Sequence, residues 1–332
     1  MSDKPFILIC GPLGTRSGYG DHCRDLFHSF YDLNKYEIQV VDVPWGNTPR
    51  NALNENNPKD KLIIDRLTIP PKLKKQPDVY VDIRIPNEFQ QVGKYNIGIT
   101  AGVETNAVSQ QWIEGCNKMD LVIVPSEHSK SGFVNSVYDK LQQLPNGHQQ
   151  KVGEVKLEKP IEVLFEGVDV DTYKSIDKFN TNLYHELNEI KEENLFLLVG
   201  QWCKGGFGED RKDIGRTIKL FCEAFANSDS DVALLLKTSF ATFSILEKEQ
   251  LNMRLSEIKN MFPKSIKIPN IYLIHGDLTT EEMNEMYNHP KVKSLVSLTH
   301  GEGFGRPLLE ATMTGLPVIA SKWSGQMDFL TD

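Results

Sequence analysis

Short apolar segments alternate with amphipathic ones along almost the whole of this chain, and that alternation points to parallel sheets with helices on both faces. In the first half, strands are predicted at 6–10, 37–43, 79–83, 96–101, 121–124 and 161–165, with helices at 21–33, 107–116 and 127–137. The second half restarts with a strand at 195–199. It continues with a helix at 213–226, a strand at 232–237, a helix at 245–261, a strand at 271–274 and a helix at 280–287. A strand at 294–298, a helix at 307–314 and a strand at 318–320 complete it. Between the halves, 173–193 is polar apart from a short Leu183/Leu187/Ile190 helical face, and it reads as the crossing between domains. At 332 residues the chain exceeds one ordinary domain. The expected division is a Rossmann-like domain at 1–172, a linker at 173–193 and a second Rossmann-like domain at 194–332. The Asn-, Pro- and Lys-rich stretch 45–75 reads as surface connection with one short element, and 142–159 as a polar insert.

Composition narrows the function classes. Hydrophobic residues at 39% and charged residues at 25% let each half bury a core. A net charge of −8 argues against broad nucleic-acid binding. The five cysteines are dispersed with no C-x-x-C pair, the pattern of reduced thiols in a cytoplasmic protein. No apolar run approaches the roughly 18 residues of a membrane helix, so membrane contact is expected to be peripheral at most.

The most informative segment follows the strand at 294–298. It reads T-H-G-E-G-F-G-R-P-L-L-E-A-T-M-T-G-L-P-V-I-A-S over 299–321. Gly301, Gly303 and Gly305 let backbone approach a ligand closely. Pro307 suits the first turn of a helix, and Gly315 closes that helix. The helix start presents N–H groups and a positive dipole end, suited to phosphate. Glu302 and Glu310 suit hydroxyls instead. A carboxylate can accept two hydrogen bonds from a vicinal diol, each worth about 1.5–3 kcal/mol.

Two glutamates with seven residues between them around G-F-G, followed by G-x-P-V-I-A and the Gly325–Gln326 turn, resemble the donor signature of glycosyltransferase family 4. The resemblance implies an α/β fold of GT-B architecture, two Rossmann-like domains with parallel sheets facing across a cleft. Family members usually continue past the point reached at Asp332, so a short C-terminal domain is expected. Carried over, Glu310 binds the nucleotide ribose, while Glu302, Gly303, Phe304 and Gly305 face the sugar and diphosphate. GT-B enzymes generally use no metal, so neither metal nor cofactor is expected and protein cations must meet the leaving diphosphate. Where the family carries an arginine after the first strand of the second domain, this chain has Gln201. Lys212 best matches the family lysine, and Arg211 can replace the arginine through its planar fork. Lys237, ending its strand, is a further donor contact.

Near the N-terminus, glycines at 11, 14, 18 and 20 lead into a helix. Gly18-Tyr19-Gly20 opens like a dinucleotide G-x-G-x-x-G, but Cys23 breaks that pattern. The resemblance implies a loop over the diphosphate and acceptor, which adds Gly18, Tyr19 and Gly20 to the donor-binding set. Glu104 occupies the point where many family members carry a sugar-contacting histidine. It joins Glu302, Arg211 and Lys212 as a catalytic candidate. Ser126 is expected to cap a helix, and His128 to lie on its surface. The implied activity is hexosyl or related glycosyl transfer from a nucleotide-diphosphate-sugar to an acceptor hydroxyl, with retention. No segment encodes the acceptor. Gln201 and Glu104 motivate an alternative, a noncatalytic nucleotide-sugar-binding or partner subunit of the same fold.

Overall fold

The computed structural model describes residues 4–68, 73, 75–143 and 149–331. It divides into two compact units, Met1–Gly167 with Glu302–Phe304, and Val168–Gly301 with Gly305–Asp332.

In the first unit, β1 (Phe6–Gly11) is buried along its whole length. Its unbroken apolar run suits a strand covered on both faces. Parallel neighbours β2 (Glu37–Asp42) and β3 (Val79–Ile83) flank it. With β4 (Tyr95–Ile99), β5 (Leu121–Val124) and β8 (Ile161–Val163) they form one sheet in the order β2-β1-β3-β4-β5-β8. Helix α1 (Gly18–Asp32) begins where the Ser17 hydroxyl accepts the Gly20 N–H at 3.1 Å, and it buries Cys23 and Phe27. Helix α2 (Pro58–Ile64), capped by Asn57, is an element within 45–75; residues 69–72 and 74 of that stretch lie outside the described residues. Helices α3 (Gln110–Cys116) and α4 (Glu127–Asn135) complete the unit.

The polar insert differs from its sequence reading. Strands β6 (Tyr138–Gln143) and β7 (Gln149–Val155) pair antiparallel. Residues 144–148 lie outside the described residues. Both strands are largely exposed and polar, so they lack the apolar alternation that marks a half-buried strand. Helix α4 accordingly ends at Asn135, short of the expected 137, because β6 starts at Tyr138.

The second unit is built on β9 (Asn194–Gln201). It pairs with β10 (Val232–Ser239), β11 (Asn270–Ile274), β12 (Val292–Ser297) and β13 (Val318–Ala320) in the parallel order β11-β10-β9-β12-β13. On one face, Leu198, Leu234 and Leu236 pack with Ile218 and Cys222 of α6 (Ile214–Ala224) and with Leu251 and Leu255 of α7 (Ile245–Lys259). On the other, Leu195, Leu197, Leu235 and Leu295 pack with Met286 of α8 (Thr280–Asn288) and Leu308 of α9 (Arg306–Met313).

The segment 173–193 is part of that second core. Tyr173, together with Leu183 and Leu187 of α5 (Asn182–Asn188) and with Ile190, is buried in it. The Glu285 carboxylate of α8 accepts the Asn180 N–H at 2.6 Å, the Thr181 N–H at 3.1 Å and the Thr181 hydroxyl at 2.6 Å. The segment reads as a crossing because its apolar residues are few, but four of them, Tyr173, Leu183, Leu187 and Ile190, are buried in that core.

Open parallel sheets bind ligands at strand C-termini, where consecutive connections leave in opposite directions. The strand orders place those points at β1/β3 and at β9/β12. Among the described residues, no helix is long and apolar enough to cross a membrane. Glu285→Ala should remove charged acceptors worth about 1.5–3 kcal/mol each. Amide exchange at Asn180 and Thr181 is therefore expected to accelerate by about tenfold or more; unchanged protection would show that apolar burial alone holds the segment.

Candidate functional site

In the second unit, the ends of β9 and β12 are joined through one turn. The Arg211 carbonyl accepts the His300 N–H at 2.9 Å and the Thr299 hydroxyl at 3.0 Å. The Arg211 guanidinium donates back to the Gly301 carbonyl at 3.3 Å. The Lys212 stem lies along the end of β9, where a Cβ on Gly200 would sit 3.6 Å from its Cδ. The structure thus brings Arg211 and Lys212 to the switch point, beside the glycine-rich loop. Asp213 begins α6 in the left-handed region, at φ 47°. Its buried carboxylate lies 3.5 Å from both Arg216 Nε and His300 Nε2. His300 Nε2 is also 3.1 Å from the Gly208 carbonyl oxygen, so this histidine ties the turn from a second side.

Helix α9 starts at Gly305, whose φ of 99° disfavours any residue with a Cβ. Glu310 is buried one turn inside. Arg306 Nε donates to its Oε1 at 3.2 Å, and the Tyr287 hydroxyl donates to Oε2 at 3.3 Å. Burial keeps that phenol protonated by raising its pKa well above the ordinary value. The two donors fix the carboxylate plane at the start of the helix.

Lys237, at the end of β10, donates from Nζ to the Gly276 carbonyl at 2.7 Å and lies 4.9 Å from the centre of the Phe243 ring. Burial pushes its amine down to about 8, against the opposing pull of Asp277 and Glu247.

In the first unit, loop 11–20 is tied at several points. The Gly14 N–H donates to Asp42 Oδ1 at 2.8 Å, and Arg50 pairs with the same carboxylate. A Cβ on Gly20 would collide with the Thr15 carbonyl oxygen, whereas one on Gly18 would meet open space. Tyr19 braces the loop. Its ring stacks on Trp45 at 4.1 Å, and its hydroxyl bonds Thr100 Oγ1 at 2.8 Å while accepting the Ala101 N–H at 3.0 Å. Burial raises its pKa far out of reach, aided by the negative fields of Glu104 and Glu166. Glu104 is half-buried in the bend after β4. Residues 302–304 meet the same bend. A Cβ on Gly303 would run into the Ala101 carbonyl oxygen, and Ser126 Oγ donates to the Gly303 carbonyl at 2.6 Å. Ser126 also caps α4, accepting the Ser129 N–H at 3.1 Å, as expected from sequence. Glu302 and Phe304 are buried, with the Phe304 ring 6.5 Å from that of Phe165.

Ala101 therefore links Tyr19, the neighbourhood of Glu104, and Gly303 in the first unit. In the second, Arg211 and Lys212 gather at β9/β12, Gly305 and Glu310 at the start of α9, and Lys237 at the end of β10.

Residues 264–332 match the family described as glycosyl transferases group 1. The match stands at the level of group 1. No curated protein matches the sequence. Among solved structures, HepE of Anabaena in complex with UDP-glucose aligns with a TM-score of 0.58 at 13% identity, covering 98% of this chain and 83% of that one. A glycosyltransferase of Rickettsia africae aligns at 0.62 with 13% identity, covering 100% and 83%. A UDP-forming α,α-trehalose-phosphate synthase of Burkholderia xenovorans aligns at 0.57 with 9% identity, covering 98% and 86%. At these identities the likeness establishes the fold, the α/β architecture of GT-B glycosyltransferases.

Sequence reasoning did not anticipate the contacts that Glu247, Asp213 and Trp45 make. For Trp45 no signal marks a partner 26 positions away. Glu247 was detectable only as a glutamate three residues after Ser244, the spacing of a helix start. Gly305→Ala should lower the free energy of unfolding by about 1 kcal/mol or more, because alanine cannot relax at that φ. Gly18→Ala, with open space and ordinary backbone, should stay within about 0.5 kcal/mol in the same denaturant titration.

Proposed function

We propose that the chain transfers a sugar from a nucleotide-diphosphate-sugar to an acceptor hydroxyl, with retention and without a metal. The observation that carries this reading is the start of α9. A buried carboxylate, Glu310, is oriented by Arg306 and Tyr287 one turn behind the left-handed Gly305, inside the segment that matches group 1. In this proposal Glu310 grips the ribose diol, and the amides of Gly303, Phe304 and Gly305 meet the sugar and diphosphate. Glu302 faces the transferred sugar, with Glu104 in the place of the family histidine. Arg211 and Lys212 stabilise the charge that develops on the departing diphosphate, and Lys237 adds a third cation. Loop 11–20 supplies Gly18 and Gly20 as backbone contacts and Tyr19 as the brace that holds them. The chemistry asked of the protein is positioning and charge stabilisation. All five cysteines are free, which fits a reducing compartment such as the cytoplasm.

HepE was solved with UDP-glucose, and the trehalose-phosphate synthase is UDP-forming, so UDP-hexoses head the donor screen. Thermal stabilisation by UDP-, GDP- or ADP-sugars is expected from at least one donor, with sugar transfer or slow donor hydrolysis alongside. Glu310→Ala should abolish the stabilisation; an unchanged shift would contradict the ribose role. Binding with no turnover by any donor would favour the alternative, a noncatalytic nucleotide-sugar-binding subunit. Gln201 motivates that alternative, since its amide is bonded to the Phe240 carbonyl where the family places an arginine.

The Lys237 amine carries its charge below about 8 and loses it as pH rises through that value. Donor affinity should therefore weaken between about pH 7 and 9 in the wild type, and the weakening should be absent in Lys237→Met. Calorimetric titration across that range checks it.

A further inference from the structure

One carboxylate in the second unit collects an unusual number of donors. Glu247, in the first turn of α7, is buried. Its Oε1 accepts the N–H groups of Phe240 at 2.9 Å and Phe243 at 3.3 Å. Its Oε2 accepts the N–H groups of Ala241 at 2.9 Å and Thr242 at 2.7 Å, and the Thr242 hydroxyl at 2.9 Å. His275 Nε2 lies 3.3 Å from Oε1. Burial alone pushes the carboxyl's pKa up, but the N–H groups of Thr242, Ala241 and Phe240 outweigh it and hold the group at about 2. Successive N–H groups converging on one point are the geometry of an anion nest. Here the chain's own carboxylate fills the nest.

The arrangement imposes strain. Phe243 sits at φ 54°, a left-handed conformation that a bulky residue adopts only where its surroundings enforce it. The enforcing group is Glu247, and Ser244 fixes the other end of the loop by accepting the Glu247 N–H at 3.2 Å. Held this way, Phe243 presents its ring to Lys237 Nζ at 4.9 Å and to the His275 ring at 5.8 Å.

We propose that Glu247 is a positioning residue: by holding loop 240–244 in its strained form, it seats the Phe243 ring over Lys237 and keeps that amine aimed for the anionic part of the donor. The identity of the ligand rests on the function proposed above; the device itself does not.

The charged groups that act on Lys237 are Glu247 on α7 and Asp277 after β11, while the titratable His275 packs against the Glu247 carboxylate and the Phe243 ring. Both acids favour the ammonium, and burial opposes it. Removing Glu247 therefore separates two roles by sign. A mere neighbouring charge, once neutralised, would leave the Lys237 pKa lower than before. A holding group, once lost, would release Phe243 and admit water, and the pKa would climb from about 8 toward the ordinary 10.5.

The experiment is a pH titration of the Lys237 signals in full-length protein carrying ¹³C-lysine, assigned with Lys237→Met. Glu247→Gln should raise the pKa by about one unit or more, and Phe243→Ala should do the same with Glu247 still present. UDP-glucose should bind both variants several-fold more weakly at neutral pH. A fall or no change in the lysine pKa of folded Glu247→Gln would overturn the proposal. If that variant does not fold, Phe243→Ala decides: a rise supports the device, and no rise overturns it. An unchanged UDP-glucose affinity in a variant whose lysine has shifted would overturn the link to the donor. The lysine titration needs no donor, so a chain that binds no nucleotide-sugar would defeat the proposed function without touching this result.

Discussion

The Arg211 carbonyl, accepting one hydrogen bond from the His300 amide and another from the Thr299 hydroxyl, is the joint on which the geometry of the second unit's candidate site depends. It ties the turn after β9 to the loop after β12. These two strands are neighbours in the sheet but are separated by β10 and β11 along the chain. Such a joint holds the segment carrying Arg211 and Lys212 against the glycine-rich loop through the Arg211 carbonyl, and the Arg211 guanidinium adds a bond to the Gly301 carbonyl. His300 and Asp213 reinforce it from the side, with the imidazole between the Gly208 carbonyl and the Asp213 carboxylate. Under the proposed transfer, preorganisation of this kind would count as charge develops on the leaving group, since nothing would have to reorient at that moment.

Glycines that look alike in sequence serve different purposes here. Gly305 is required by its backbone angle, and Gly303 and Gly20 by the carbonyl oxygens that crowd them. Gly18 is required by neither. The spacing of Gly303 and Gly305 therefore marks a place of close packing and constrained backbone. Phosphate-facing backbone and tightly packed backbone both exclude a side chain, and sequence alone does not tell them apart.

Legibility followed the same divide. Strands buried on both faces, such as β1 and β10, were legible because burial demands unbroken apolar runs. The β6–β7 hairpin was not, because its pairing is backbone bonding between mostly exposed polar strands. The start of α9 was legible because Pro307 suits the first turn of a helix, and its end because Gly315 closes it. Tyr19 was legible as part of a glycine loop, but its bonds to Thr100 and Ala101 and its stack on Trp45 depend on tertiary contacts that no local pattern encodes. Glu247 was the least legible of all. Its importance comes from the conformation of the loop that folds onto it, and a glutamate in the first turn of a helix is ordinary.

The docking of α5 has a practical corollary for dissecting this protein. Tyr173, Leu183, Leu187 and Ile190 cover apolar side chains of β9, β10 and β12, so a fragment cut at 194 would leave a greasy, uncovered face in the aqueous phase. Exposed faces of that sort drive self-association. A recombinant half meant for crystallisation or ligand soaking should therefore begin at Val168, where the second compact unit itself begins.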